Sequence, residues 1–303
     1  MKGWILYKKK QADITDSDFG VTRLLKEAEE LGIEMSVHSP EQFELIVSRS
    51  GKRSVLIDDV VTELPDFVLP RMGSGTGYFA LAVLRQLENL NIYTCNSSRT
   101  IEVVKDKLQI HQLLAQSNLP TPKTMLLKFP IDIKIVKREI GFPLIIKNIT
   151  GTEGRGIYLC DSPEKFQDIM ELMYSYNKNM NIIIQEYVGH RRGEDLRVFV
   201  MGGKVVACMR RIAKDGGFKA NFSLGATVEE YKIDSEIEHL ALETAKLLKL
   251  DVTGIDILFD ETGYKVLEAN SSPGFKGLEL ATKKNIAREI LTYVTDKVAQ
   301  PVS

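Results

Sequence analysis

Two short segments near the C-terminus set oxygen-bearing side chains in apolar surroundings: Gly254-Ile255-Asp256-Ile257-Leu258 and Val266-Leu267-Glu268-Ala269-Asn270-Ser271-Ser272-Pro273-Gly274. Both are rich in Ile, Val and Leu and read as strands, and Asp260-Glu261-Thr262-Gly263 between them is a turn signal. Strand side chains alternate faces, so Glu268 and Asn270 point the same way. If Gly263 takes a left-handed conformation after a type I turn, the hairpin gains one bulge residue and Asp256 falls opposite Glu268. Two carboxylates and an amide then converge as hard oxygen ligands, the type that hold magnesium beside a nucleotide's phosphates. One polar, solvated face is also ordinary in an antiparallel sheet, and composition alone leaves that alternative open.

Further upstream, Leu144-Ile145-Ile146-Lys147-Asn148-Ile149 places a lysine inside a very apolar strand. Such a lysine must reach solvent or meet an anion, because burying an unpaired ammonium is costly. Gly151-Thr152-Glu153-Gly154-Arg155-Gly156 follows, a loop whose bare N–H groups can wrap phosphate oxygens. It is not a Walker A motif, since no Gly-Lys-Ser/Thr follows and it links two strands. Ile182-Ile183-Ile184-Gln185-Glu186-Tyr187-Val188 then runs from a hydrophobic strand into polar backbone, either a plain buried strand or a hinge that binds adenine through one carbonyl and one N–H. Cations cluster next. Arg197 lies at the start of one strand, Arg210 and Arg211 at the end of the next, and Lys214 and Lys219 follow. A solvated basic rim is one reading; a triphosphate site opposite the carboxylate hairpin is the other, because planar guanidinium donors bridge phosphate oxygens in pairs.

Composition narrows the class. With 303 residues, two or three subdomains are expected. A formal net charge of −1 draws the protein to neither nucleic acid nor membrane, and the basic cluster lacks aromatic interleaving. Cys95, Cys160 and Cys208 form no zinc or disulfide pattern, which fits a reducing compartment; Cys160 and Cys208 read as buried packing residues. His38, His111, His190 and His239 make no metal pair. With neither a signal peptide nor an 18-residue apolar run in the sequence, a cytoplasmic location is expected.

The elements that must position these residues fall into two styles. Strands at 4–7, 33–37, 66–70 and 92–95 alternate with helices from about 21 to 31 and 78 to 90, a βαβ rhythm that predicts a small parallel sheet. A strong helix is predicted at 101–117. Hairpins dominate afterwards: strands at 123–127, 143–148, 156–160, 182–188, 197–200 and 204–209, with helices near 132–140, 163–176, 234–248 and 280–298. The reading is an α/β N-terminal domain at 1–98 and an α+β remainder, divided into a central lobe at 99–188 and a C-terminal lobe at 189–303.

The ordered set resembles the ATP-grasp superfamily and is most similar to its RimK-like branch of ATP-dependent glutamate ligases. It comprises Lys107, the Lys147 strand, the glycine loop, Gln185-Glu186-Tyr187-Val188, Asp195-Leu196-Arg197, Arg210-Arg211, Asn221, Asp256, Glu268, Asn270 and Ser272-Pro273-Gly274. The resemblance spans nearly the whole chain, including Leu69-Pro70-Arg71-Met72-Gly73. It implies an ATP-grasp fold behind a Rossmann-like pre-ATP-grasp domain, and an enzyme that joins a carboxylate to an amine through an acyl phosphate. The expected acceptor is a peptide, protein or small-molecule carboxylate, the expected donor an amino acid such as glutamate, and the expected assembly a homo-dimer or homo-tetramer. By the same resemblance Lys107 and Lys147 contact nucleotide phosphates, as do Gly151, Gly154 and Gly156. Gln185, Glu186, Tyr187 and Val188 frame adenine, Asp195 holds ribose or orients its neighbours, and Lys219 and Asn221 complete the ATP site. Asp256, Glu268 and Asn270 bind two magnesium ions, with manganese able to substitute, and Arg210 stabilises the transferring phosphate. Arg71, Arg197, Arg211 and Ser272 are expected at the substrate. Arg155 and the pair Gly216-Gly217 depart from the family pattern where the acceptor would sit.

Overall fold

Apolar runs alternating with amphipathic helices build a parallel sheet at the start of the chain. The computed structural model describes residues 1–47, 54–148 and 156–300. Strand β1 (Lys2–Leu6), helix α1 (Phe19–Glu30) and β2 (Glu34–His38) come first. A small antiparallel trio follows: β3 (Phe43–Leu45), β4 (Val55–Ile57) and β5 (Val60–Val61). Patterning gave no sign of this trio, because two- and three-residue strands are too short to show a period. Then come β6 (Phe67–Pro70), α2 (Tyr78–Asn89) and β7 (Tyr93–Thr94), and the main sheet runs β2-β1-β6-β7, parallel throughout. Val21, Leu24 and Ala28, at helical spacing, are the residues α1 buries.

The helix predicted at 101–117 is two helices, α3 (Ser98–Lys105) and α4 (Lys107–Gln116). Asp106 breaks it by accepting from the Leu108 and Gln109 N–H groups, which caps α4 and leaves Lys107 at its first turn. Both helices were expected with the central lobe, yet Val104, Ile110 and Leu114 pack into the core beneath the C-terminal sheet.

The central lobe contains β8 (Thr124–Leu127), α5 (Ile133–Glu139), β9 (Leu144–Asn148), β10 (Ile157–Cys160), α6 (Pro163–Tyr176) and β11 (Ile182–Glu186). Its sheet is antiparallel in the order β10-β9-β11-β8. Phe166 and Met170 of α6 and Val136 of α5 cover Leu144, Ile146, Ile182 and Ile184. The opposite face is left to carry Lys147, and alternation supplies this division.

The C-terminal lobe follows with β12 (Glu194–Met201), β13 (Lys204–Ile212), β14 (Thr227–Glu230), α7 (Ser235–Leu247), β15 (Val252–Asp260), β16 (Gly263–Asn270), α8 (Lys276–Thr282) and α9 (Ile286–Ala299). Its antiparallel sheet runs β14-β13-β12-β15-β16. Leu196, Val198, Ile255 and Ile257 meet α7 on one face. On the other, Phe199 and Met209 join α8, α9 and the N-terminal sheet in one continuous core. All three cysteines are buried and unpaired. Among the described residues no helix is long and apolar enough to cross a membrane.

Asp256 pairs with Glu268 as the sequence predicts, but by another route. The connection Glu261–Thr262 is a two-residue turn that pairs Asp260 with Gly263, whose φ is +139°. The extra residue enters later, where the register shifts between Asp256 and Ile257 and Leu267 is left over. This bulge sets Leu267 and Glu268 side by side along the cavity wall, an apolar surface next to a carboxylate.

Candidate active site

A cavity of about 830 Å³ lies between the central sheet and the C-terminal sheet. Its central-lobe wall carries Ile145, Lys147, Ile157 and the 185–188 segment; the facing wall carries Arg197, Arg211, Asp256, Leu258, Leu267, Glu268 and Asn270. Lys107, Asp195, Lys219, Asn221 and Ser272 also line it. Most residues singled out by the sequence are therefore brought together. Gly151, Gly154 and Arg155 lie outside the described residues, and Gly156, with φ +70°, leads into β10.

Two lysines face the carboxylates. Lys147 is only 7% exposed. Burial brings its ammonium down to about 8, against the pull of Glu268 and with help from the Lys107 charge. Burial also lowers Lys107, again opposed by Glu268. A pair of desolvated cations beside an apolar slot suits a polyphosphate, whose charge would restore what burial removes.

The 185–188 segment is fixed by a polar chain that sequence reading missed. Gln185, 1% exposed, donates through Nε2 to His111 Nε2 (2.6 Å) and Thr124 Oγ1 (2.7 Å). Thr121 Oγ1 donates to the Val266 carbonyl (3.0 Å), so it accepts from His111 Nδ1 (2.6 Å), which assigns the proton to Nδ1. Burial, and then the Lys147 charge, hold His111 down at about 3, so the ring is neutral. The Gln185 side chain is thus turned into the structure. The Glu186 carboxylate likewise accepts from Lys265 Nζ (2.7 Å) and the Lys123 N–H (3.0 Å). A lone histidine on an apolar helix gives no sequence signal of this role.

Beside the hairpin lies a buried charge cluster. Arg211, 2% exposed, is bidentate to Asp195 (2.5 and 2.8 Å), and its Nη2 is 2.9 Å from Asp256 Oδ2. Arg197 forks onto both Asp256 oxygens (2.8 and 2.7 Å). Burial alone would raise the Asp256 carboxyl, but the Arg197 and Arg211 guanidiniums outweigh it and hold the group below its ordinary value. Asp195 is therefore a partner that orients Arg211, one of the two roles expected of it.

Arg210 is not brought to the cavity. Strand alternation puts it on the opposite face from Arg211, where it pairs with Glu229 (2.5 Å) and Glu194 (3.4 Å). Sequence offered two adjacent arginines, and only the sheet decides which one faces inward. Arg71 also lies outside the lining: its Nη2 donates to the Pro273 carbonyl (2.7 Å), behind the loop that carries Ser272. Lys219 sits over the rings of Phe218 (5.5 Å) and Tyr158 (5.9 Å) at the cavity edge.

A metal fits this donor set. Glu268 and Asn270 present oxygen on the cavity face, and Asn270 Nδ2 donates to the Gly254 carbonyl (3.2 Å), which leaves its Oδ1 as the acceptor. Magnesium takes one or two carboxylates and fills its remaining positions with water and phosphate, so no larger protein cage is needed. Among the described residues no three His, Cys, Asp or Glu side chains gather as a metal-holding group, so any ion here would rest on fewer carboxylates.

The two lobes closing on a phosphate-directed cavity, behind a parallel-sheet domain, define an ATP-grasp enzyme. Residues 104–294 match the RimK-like ATP-grasp domain and residues 5–101 the RimK pre-ATP-grasp domain. The chain belongs to the RimK-like ATP-grasp family and is an ATP-grasp ligase. It is 36% identical over 282 residues to a probable alpha-L-glutamate ligase of Legionella pneumophila, covering 93% of this chain and 92% of the relative. It is 37% identical over 273 residues to one from Methanococcoides burtonii, covering 90% of each. Among solved structures, the ATP-grasp ligase PsnB, complexed with a phosphomimetic variant of its minimal precursor, Mg and ADP, superposes with a TM-score of 0.75 at 20% identity, over 98% of both chains. The macrocyclase MdnC from Microcystis aeruginosa, bound with its precursor peptide MdnA, gives 0.71 at 15% identity, over 97% of this chain and 100% of that one.

Two measurements test this geometry. A phosphate raises the pKa of the lysine it touches, so ATP binding takes up a proton above the ligand-free Lys147 value of about 8. ATP affinity should therefore fall as pH rises from about 7 to 9.5, by roughly tenfold at the upper end, and Lys147→Arg should flatten the profile. A flat wild-type profile by calorimetry would place Lys147 away from the phosphates. Arg211→Met should lower unfolding stability by about 3–5 kcal/mol, because Asp195 is left buried and unpaired; urea denaturation reads this directly, and a loss below about 1 kcal/mol contradicts the buried-pair assignment.

Proposed function

We propose that this ligase uses ATP and magnesium to activate a carboxylate and join it to an amine, adding glutamate or a related amino acid to the carboxyl end of a peptide or protein. The observation that carries this reading is the facing of Lys107 and Lys147 against Arg197, Asp256, Glu268 and Asn270 across one cavity, beside the apolar slot of Ile145, Leu258 and Leu267. Lysines for phosphates, an apolar slot for a base and hard oxygens for a metal are the parts phosphoryl transfer requires.

In the first step a carboxylate oxygen attacks the γ-phosphorus of ATP, and ADP leaves. In the second, an amine attacks the carbonyl carbon of the acyl phosphate, inorganic phosphate leaves, and the amine gives up a proton as the amide forms. Lys107 and Lys147 neutralise phosphate charge and hold the chain of phosphates in line. Of the two arginines in the buried charge cluster, Arg197 keeps the more surface to meet a phosphate, its side chain 15% exposed against 3% for Arg211. Magnesium, held by Glu268 and Asn270 with Asp256 beside them, would supply further neutralisation of charge on the transferring group. Closure of the two walls keeps water from the acyl phosphate. The relatives named probable alpha-L-glutamate ligase support glutamate as the added amino acid, and the precursor peptides bound by PsnB and MdnC support a polypeptide acceptor.

Incubation with ATP, magnesium, a carboxylate acceptor and hydroxylamine should yield a hydroxamate that depends on the enzyme. Mass spectrometry of peptide acceptors incubated with mixed amino acids should show increments of one glutamate residue. Glu268→Ala should remove both products, by at least about a hundredfold, while leaving the fold intact, because the neighbouring carboxylates Asp256 and Asp195 are already held by Arg197 and Arg211. Steady ATP hydrolysis indifferent to every carboxylate and amine would refute the ligase chemistry; a different mass increment would refute glutamate alone.

A further inference from the structure

The N-terminal domain holds the loop that follows the metal-facing hairpin at two points. Asn270 is the last paired residue of β16, opposite Gly254. The chain then runs through Ser271, Ser272, Pro273 and Gly274 along the cavity wall. Strand ends open easily where pairing stops, and a ligand carried on the last paired residue inherits that freedom.

Here the end is stapled. The Asn96 carboxamide, 1% exposed, donates through Nδ2 to the Ser271 carbonyl (2.7 Å) and the Val252 carbonyl (2.7 Å). Its Oδ1 accepts from the N–H groups of Asp251 (2.7 Å) and Val252 (3.1 Å). Those four bonds use every donor and acceptor position of the side chain. They tie the first residue of β15 to the residue after β16, so one group clamps both strands of the hairpin at its open end. Two residues further along the loop, Arg71 Nη2 donates to the Pro273 carbonyl (2.7 Å), with its guanidinium 5.5 Å from the centre of the Phe275 ring. Pro273 in turn lies close over Gly254: a Cβ on that glycine would stand 3.0 Å from Pro273 Cβ.

Both side chains address backbone carbonyls, which fixes the path of the loop whatever its side chains are. Both come from segments that leave the parallel sheet, Arg71 directly after β6 and Asn96 after β7. We propose that Asn96 and Arg71 are positioning residues through which the N-terminal domain sets the Asn270–Gly274 backbone, so that Asn270 and Ser272 face the reacting groups. The domain then contributes to catalysis through the path of this loop. The kinetic consequence rests on the ligase reading; the structural consequence does not.

Hydrogen exchange on the full-length protein, without ligands, tests the structural part. Arg71→Met should speed exchange of the 271–277 amides by about tenfold or more, the scale of one lost charged-donor bond, with the β9 and β11 amides unchanged. Arg71→Lys, which can still donate to Pro273, should recover part of that protection. Asn96→Asp keeps the acceptors for Asp251 and Val252 but sets an oxygen against two carbonyls, and should loosen the same segment. ATP affinity should stay within about twofold in all three variants, while amide formation falls ten- to a hundredfold in kcat for Arg71→Met and Asn96→Asp. Loop exchange that stays unchanged, or that rises only in step with global exchange, overturns the proposal, as does failure of Arg71→Lys to recover protection. Absence of any amide product from the wild type sinks the ligase reading instead and leaves the exchange result standing.

Discussion

Everything at the site depends on how four charged side chains share one face of the C-terminal sheet. Asp195 and Arg197 come from β12, Arg211 from β13 and Asp256 from β15, three strands adjacent in the sheet. Arg211 bridges Asp195 and Asp256, and Arg197 forks onto Asp256. Ions this deeply placed are tolerated only when paired with good geometry, and a one-residue slip of any of the three strands would turn one partner to the opposite face. The cluster therefore favours one register over its neighbours. That register also decides where Glu268 and Asn270 stand, since β16 pairs with β15.

A bulge at the next strand refines the arrangement. Regular pairing from the Asp260–Gly263 turn would carry Leu267 opposite Asp256; the extra residue moves Glu268 there instead. Leu267 stays on the cavity wall as apolar surface, so an apolar patch and a carboxylate lie side by side on a single strand. The Thr121, His111 and Gln185 chain then links this strand, at Val266, to β11 across the cavity. With His111 neutral, the link is made of dipoles and leaves the charge balance of the lysines undisturbed.

The three sheets are joined differently. The N-terminal sheet shares a continuous apolar core with α8 and α9, as a rigid foundation for the C-terminal lobe would require. The central lobe has a core of its own under α5 and α6. It meets the C-terminal lobe through polar contacts such as Lys265 with Glu186, alongside Pro120 and Thr121 at β16. Polar junctions of this kind exchange with water more readily than a buried apolar one.

Local pattern alone determined a good deal about this protein. The βαβ rhythm of the first hundred residues, the hairpins after it and the strands that carry Lys147 and Gln185 were legible, because each rests on a period or a turn within a dozen residues; the Asp256–Glu268 pairing was reached as well, though the extra residue enters at Leu267 and not at the turn. What remained undecided needed neighbours distant in sequence. Arg210 and Arg211 are equivalent as a string, and only pairing with Asp195 across the sheet turns Arg211 inward and sends Arg210 to Glu194 and Glu229. Asp106 breaks a helix whose apolar pattern continues through it, because its carboxylate offers two N–H groups a nearer acceptor. His111 and Asn96 gain their roles from partners 74 and 155 or more residues away. A single polar side chain carries no periodicity, so the work it does is decided only when the fold closes around it.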